Sequence, residues 1–274
     1  MSGLRAVWDF DDLDGSERRF RVLLDAETGA VGRAVILSQL ARIQGLRARF
    51  DDAEALLDEA DGMAGARAET LIERGRLRRS SGDREAALLL FVTAFEAAQA
   101  EGDGFMAADA AHMAALAETG RGMERWTERG LEIAEADPDA RYWRGPLLNN
   151  LGWHRFERGD HVGALAAFEL ALKARQEQPE REYEIEIARY AVGKTLRMLR
   201  RPSEAAELLE QAVAWTGRAG RPDAWFHEEL AEDYAALGRA DDAREQARLA
   251  LELLDESDER SERLRELAGL AAGS

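Results

Sequence analysis

Leu151-Gly152-Trp153-His154-Arg155-Phe156-Glu157-Arg158-Gly159-Asp160-His161-Val162-Gly163-Ala164-Leu165-Ala166-Ala167-Phe168-Glu169-Leu170-Ala171 reads as two amphipathic segments parted at Arg158-Gly159-Asp160. In the second segment Leu165, Phe168, Ala171 and Leu172 recur at three- and four-residue spacing, the period of a helix face. Leu147, Leu148 and Leu151 do the same in the first. Gly152 stands before the break, Ala164 and Ala171 after it, and the one large residue among them is Phe168. Small residues on two facing helices let the backbones approach closely, and the large one fills the space beside them. This stretch predicts a tight helical hairpin.

Working outward, the same spacing recurs. Small residues stand at Ala41, Gly75, Ala111, Gly152, Gly193 and Ala231, 34 to 41 residues apart. Twelve residues after each come Ala53, Ala87, Met123, Ala164, Ala205 and Ala243; nineteen after, Ala60, Ala94, Gly130, Ala171, Ala212 and Ala250. Seventeen of these eighteen positions are Ala or Gly. Sixteen residues after the anchors stand the mostly larger Leu57, Phe91, Thr127, Phe168, Leu209 and Ala247. One hairpin cannot bury its apolar face alone, so six in series predict a stack with a continuous core. Polar breaks at 80–83, 158–160, 200–203 and 237–239 separate the segments, and Pro138, Pro179, Pro202 and Pro222 fall at junctions. Pro146 fits either a first helical turn or a kink. Strand signals are nearly missing.

The fourth unit, Leu151-Gly152, Gly159, Ala164, Phe168, Ala171, resembles the tetratricopeptide repeat family, and the likeness extends over residues 34–255. The longer periods, and Leu148-Asn149-Asn150-Leu151, resemble its kinesin light chain-like subgroup. The resemblance implies an all-α, right-handed α-solenoid of about six units, near 34–67, 68–103, 104–144, 145–182, 183–223 and 224–255. The third unit departs from the pattern at Met123 and Thr127. An acidic N-terminus and extra helix occupy 1–33, with Gly15-Ser16-Glu17 as cap and an end near Glu27. A terminal capping helix occupies 256–274, from Ser257 to Ala271, with Leu264, Leu267 and Leu270 as its apolar stripe.

Composition narrows the function classes. The 274 residues carry 37 basic and 54 acidic side chains, a net charge of −17, with a pI near 4.8. At 46% hydrophobic the chain can bury a core. Without cysteine it has no disulfide, thiolate metal site or cysteine nucleophile. Met1–Leu13 lacks the basic-then-apolar order of a signal peptide, and no apolar run approaches the ~20 residues of a membrane helix. A soluble cytoplasmic protein is expected. Phosphate neutralisation needs positive charge, so nucleic acid is an unsuitable partner. Lysine occurs only at Lys173 and Lys194, and asparagine only at Asn149 and Asn150.

In the family the concave groove is lined by the first helix of each pair. Carried onto this chain, the resemblance puts Arg42, Arg76, Arg79, His112, Asn149, Asn150, Trp153, Tyr190, Lys194 and Arg197 along that groove. Gln39, Glu73, Asp109, Glu228, Glu229 and Glu232 fall there too. Arginine offers bidentate bonds to carboxylates, an asparagine amide pairs with any peptide backbone, and aromatic rings serve as anchors. The expectation is a non-catalytic scaffold for a protein or peptide, with an extended acidic or carboxylate-bearing segment in the groove. Two alternatives stay open at these residues: the arginines pair with Glu69, Glu73 or Asp109, and Trp153 belongs to the core. The family's chaperone-binding carboxylate clamp is not implied. At its positions the chain has Ala108, His112, Asn150, Ile187 and Ala191, of which only Asn150 agrees.

Other motifs carry nothing. Val192-Gly193-Lys194-Thr195 ends like a phosphate loop, but Ala188 stands where its first glycine belongs. Asp9, Asp11, Asp12 and Asp14 lack the further ligands of a calcium loop and read as a solvated terminus. His112, His154, His161 and His227 have no metal-protease spacing, and no nucleophile elbow occurs. No cofactor, metal or catalytic site is expected. Rival readings are a bacterial-type sensor of a signalling peptide or small molecule, a self-assembling structural protein, and, last, an enzyme.

Overall fold

In the computed structural model, which describes residues 4, 6–63, 65–178, 180–255 and 258–270, the polar breaks become turns and the segments between them helices. Met1, Pro179, Ser257 and Ala271, which figure in the expectations above, lie outside the described residues. Among the described residues aspartates open five α-helices, each carboxylate accepting a backbone N–H of the first turn. Asp12 accepts from Gly15 at 2.8 Å and Asp83 from Ala86 at 3.0 Å, while Asp103, Asp160 and Asp223 accept from Met106, Gly163 and Trp225 at 2.9 Å. Such a bond satisfies a donor that the helix start leaves free and contributes about 1 kcal/mol.

The chain clusters into two compact units, Met1–Arg144 and Gly145–Ser274. The first contains α1 (Leu13–Ala26), α2 (Ala30–Leu46), α3 (Phe50–Asp61), α4 (Arg67–Ser80), α5 (Arg84–Glu101), α6 (Gly104–Ala117), α7 (Arg121–Ala136) and the 3-10 turn Pro138–Trp143. The second contains α8 (Arg144–Glu157), α9 (His161–Gln176), α10 (Glu182–Met198), α11 (Pro202–Arg218), α12 (Ala224–Ala236), α13 (Ala240–Leu253) and α14 (Ser261–Leu267). Among the described residues there is no strand. Hairpins α2/α3, α4/α5 and α6/α7 stack in the first unit, with α1 against α2. In the second, α10/α11 and α12/α13 stack likewise, α10 also meets α9, and α14 covers α13.

Every residue of the four periodic sets is buried, in all six repeats. The third repeat is no exception: Met123 and Thr127 are buried, and the Thr127 hydroxyl donates to Met123 O at 3.0 Å. Its bulk comes from Trp126, whose ring meets Phe95 edge-on at 5.2 Å. The close approach is tightest at the glycines. A Cβ on Gly152 would lie 2.4 Å from Phe168 Cε1, and one on Gly75 2.3 Å from Phe91 Cε1. The third residue of α8 is Pro146, so it sits in a first turn and makes no kink.

Two ends differ from the sequence reading. The first helix begins at Leu13 with Asp12 as its cap, because Ser16 is engaged elsewhere: its Oγ donates to Asp9 O at 2.9 Å and accepts from Asp9 N at 2.7 Å. The C-terminal helix stops at Leu267. Leu264 is buried against Ala231, Ala247 and Ala250 with Leu267 beside it, but Leu270 is exposed beyond the left-handed turn at Gly269.

Candidate functional site

In the first unit the candidate residues gather on α2, α4 and α6. Arg76, one turn beyond Glu73 on α4, is bonded to Glu73 and also to both oxygens of Asp109 on α6, at 2.8 and 3.0 Å. Burial would pull its guanidinium down, but Asp109 and Glu73 outweigh that and hold it above the usual arginine range. Arg42 on α2 is different. It is half-buried, yet among the described residues its side chain makes no hydrogen bond or ion pair. Its guanidinium lies over Trp8 and Phe10, 5.4 and 5.5 Å from the ring centroids. Burial lowers its proton affinity first and the charge of Arg76 lowers it further, while Glu73 and Asp109 oppose both in part.

Trp8 and Phe10 are residues that sequence reasoning missed. The segment holding them was read only as an acidic terminus, and its aspartates do face solvent. The two rings instead turn onto α2, stacked at 4.8 Å, and Trp8 Nε1 donates to Gln39 Oε1 at 2.9 Å. Arg19 ties the segment down by donating from Nε to Val7 O at 2.8 Å. The alternation of Trp8 and Phe10 with acids was the available signal. His112 lies on α6 with its ring 5.1 Å from that of Trp143, while Arg79, at the end of α4, is exposed.

In the second unit, α8 and α10 carry the candidates. Trp153 is half-buried, its ring 5.0 Å from Phe168, 5.4 Å from Phe156 and 6.4 Å from Tyr190. It therefore serves the core as well as the face. Tyr190 is buried and stacks on Phe226 at 5.5 Å; its hydroxyl accepts from Lys194 Nζ at 3.3 Å. Burial, then Glu229, pushes its phenol far above the usual range. One carboxylate, Glu229 on α12, takes two of the cations of α10: Lys194, and Arg197 through Nε at 2.9 Å and Nη2 at 2.7 Å. Glu228 and Glu232, also on α12, are bonded to Arg260 and Arg263. Asn149 and Asn150 sit half-buried on α8, and among the described residues the enclosed Asn149 Oδ1 accepts no hydrogen bond. Trp225, half-exposed beneath Arg260 at 3.8 Å, joins this face without having been singled out in the sequence.

What these faces offer is binding chemistry. Among the described residues no three His, Asp or Glu side chains are placed to hold a metal ion, and no helix is long and apolar enough to cross a membrane. The donor fork of Arg42, with aromatic surface beside it, suits a peptide or another protein's surface.

No family model and no curated protein matches the sequence. Solved structures do. The chain is similar to the apo form of RapI, at 13% identity and a TM-score of 0.74, over 98% of this chain and 78% of that one. It is also similar to a Signal Transduction ATPase with Numerous Domains from Pyrococcus horikoshii that carries a tetratricopeptide repeat sensor. There the identity is 17% and the TM-score 0.75, over 98% of this chain but only 44% of that protein. The apo form of the quorum sensor NprR from B. thuringiensis matches 89% of this chain and 83% of its own, at 14% identity and a TM-score of 0.53. At such identities the likeness speaks for architecture, and the architecture is the all-α fold of tetratricopeptide repeat solenoids.

Proposed function

We propose that this chain is a non-catalytic, cytoplasmic scaffold that binds a protein or peptide on the faces of its first helices. The segment it takes is extended and acidic or carboxylate-bearing. One observation carries the reading: Arg42 is half-buried and lies over two aromatic rings, and among the described residues no carboxylate is bonded to it; Glu73 and Asp109 attract it only from beyond bonding distance, against the repulsion of Arg76. A guanidinium stacked on a ring keeps its N–H edge open, the geometry that bidentate carboxylate binding uses. Phe10, 58% exposed, stands beside it as apolar contact for the residue that brings the carboxylate. Arg76, Lys194 and Arg197 already hold carboxylates of this chain, so they shape the faces rather than supply free charge. In the second unit Asn149, Asn150, Trp153 and Tyr190 provide backbone pairing and an aromatic wall. Six units with the boundaries given above, and a protein partner rather than nucleic acid or membrane, belong to the same proposal.

Fluorescence polarisation with a panel of extended peptides tests it. Acidic peptides should bind and neutral ones should not. Arg42→Ala should weaken binding about 10- to 100-fold, the range for hydrogen bonds to a charged group. Equal, weak binding of acidic and neutral peptides, unchanged in Arg42→Ala and Asn150→Ala, would sink the proposal. A second reading, a sensor of a signalling peptide or small molecule, is favoured by NprR and the P. horikoshii protein, both of which are sensors or carry one. Saturable binding of a short free peptide, with no larger partner needed, would select it.

A further inference from the structure

We infer that the cleft of about 690 Å³ bounded by Arg197, Arg200 and Arg263 in the second unit is an anion site, taking a small polyanion of carboxylate or phosphate type. It is independent of the Arg42 face. Its volume lies in the ordinary range for small-molecule sites. Met198, half-exposed, and Pro202 give it an apolar wall, and Glu232 is its one acidic lining residue.

Charge around the cleft does not balance. Arg197 shares Glu229 with Lys194, two cations on one carboxylate. Asp233, next to Glu232 on α12, is fully buried, and burial raises its pKa to about 8. Glu232 is taken by Arg263, which also bonds Glu266. Arg200 makes no side-chain hydrogen bond or ion pair among the described residues. Three arginines and one glutamate thus line one cleft of a molecule whose net charge is −17. Pro202 opens α11, so the positive end of that helix reaches the same rim.

The backbone at Arg200 points the same way. Five first helices end in the same turn, in which the residue after the turn's centre donates back into the helix. Asp83 donates to Arg78 O, Asp160 to Arg155 O and Arg239 to Tyr234 O; Arg201 donates to Leu196 O and Arg49 to Gln44 O. The centre needs a left-handed conformation, and Gly82, Gly159 and Gly238 supply it at φ 91°, 78° and 75°. Arg200 adopts it at φ 62°, where an L side chain is strained. Ala48 does so at φ 58°, so the turn admits a Cβ, but alanine brings no charge. A place in the last turn of α10 accounts for Arg197 through the helix dipole. It does not account for Arg200, which stands beyond the helix in a conformation that glycine would favour.

The test uses citrate and pyrophosphate as probes, against acetate at matched ionic strength, by isothermal titration calorimetry and thermal melts. At least one probe should bind saturably and raise the melting temperature; which of the two binds more tightly separates a carboxylate from a phosphate ligand. Arg200→Gly relieves the strained turn, so its own melting temperature should hold or rise by about 2–4 °C, while its probe affinity falls at least tenfold. Arg42→Ala should leave that affinity unchanged, whatever becomes of the peptide reading. Binding no stronger than acetate, or an Arg200→Gly protein that binds as the wild type does, would overturn the assignment.

Discussion

Phe168→Ala is expected to lower the unfolding free energy by about 3–5 kcal/mol, the range for emptying a buried aromatic site. The ring is fully buried among Ala164, Leu165, Ala191, Val192, Leu196 and Ala205, with Trp153 across it. Opposite stands Gly152, which has no side chain to move into the space. The converse change, Gly152→Val, gains helix propensity but sets a branched Cβ where 2.4 Å separates it from the ring. It should cost about 1–3 kcal/mol through overpacking. If these two residues form one packing unit, the changes couple. Gly152→Val should cost less when Phe168 is already alanine, and a double-mutant cycle by urea unfolding should give an interaction energy of at least ~1 kcal/mol. Gly75 and Phe91 repeat the arrangement in the first unit, with 2.3 Å between an added Cβ and the ring, and serve as an internal control. Additive changes at both pairs would mean that the small-against-large contact does not hold the hairpins together.

That contact is also why the fold was legible in the sequence. Close helix packing admits few residue types, so its positions survive as a periodic row of Ala and Gly even where Met123 and Thr127 break it. The binding faces obey no such constraint. Arg42 and Arg76 look alike in the sequence, and only packing shows that one has Asp109 and the other two aromatic rings. A partial signal existed. The ion pairs between successive first helices join residues one repeat apart: Arg76 and Asp109 by 33 positions, Lys194 and Glu229 by 35, Arg197 and Glu229 by 32. Opposite charges at the repeat period mark pairs already formed, and would have removed three of the five groove cations from the list of free ones. Trp8 and Phe10 precede the first repeat and follow no period, so only their aromatic character in an acidic segment could have drawn notice.

Asp233→Asn is expected to stabilise the protein at alkaline pH and not at acid pH. The Asp233 side chain lies in α12 at 0% exposure, and neither carboxylate oxygen has a hydrogen-bond partner among the described residues. Burial is the main cause that raises its pKa to about 8; Glu229 and Glu232 add to it, and Arg197 opposes it. In the unfolded chain the group titrates near ~3.9. Between those values the unfolded state releases a proton that the folded state keeps, so stability falls as pH rises from about 4 to about 8 and then levels. The slope cannot exceed about 1.4 kcal/mol per pH unit. Relaxation around a buried charge lowers its cost, so we expect a total on the order of 3 kcal/mol rather than the full ceiling. Asparagine keeps the shape and the unpaired polar atoms but cannot ionise. Urea unfolding of both proteins from pH 4 to pH 9 should therefore give curves that meet at the acid end and part steadily towards pH 8. Parallel curves would show that Asp233 ionises in the folded protein as readily as in the unfolded chain, and that water or Arg197 already compensates it.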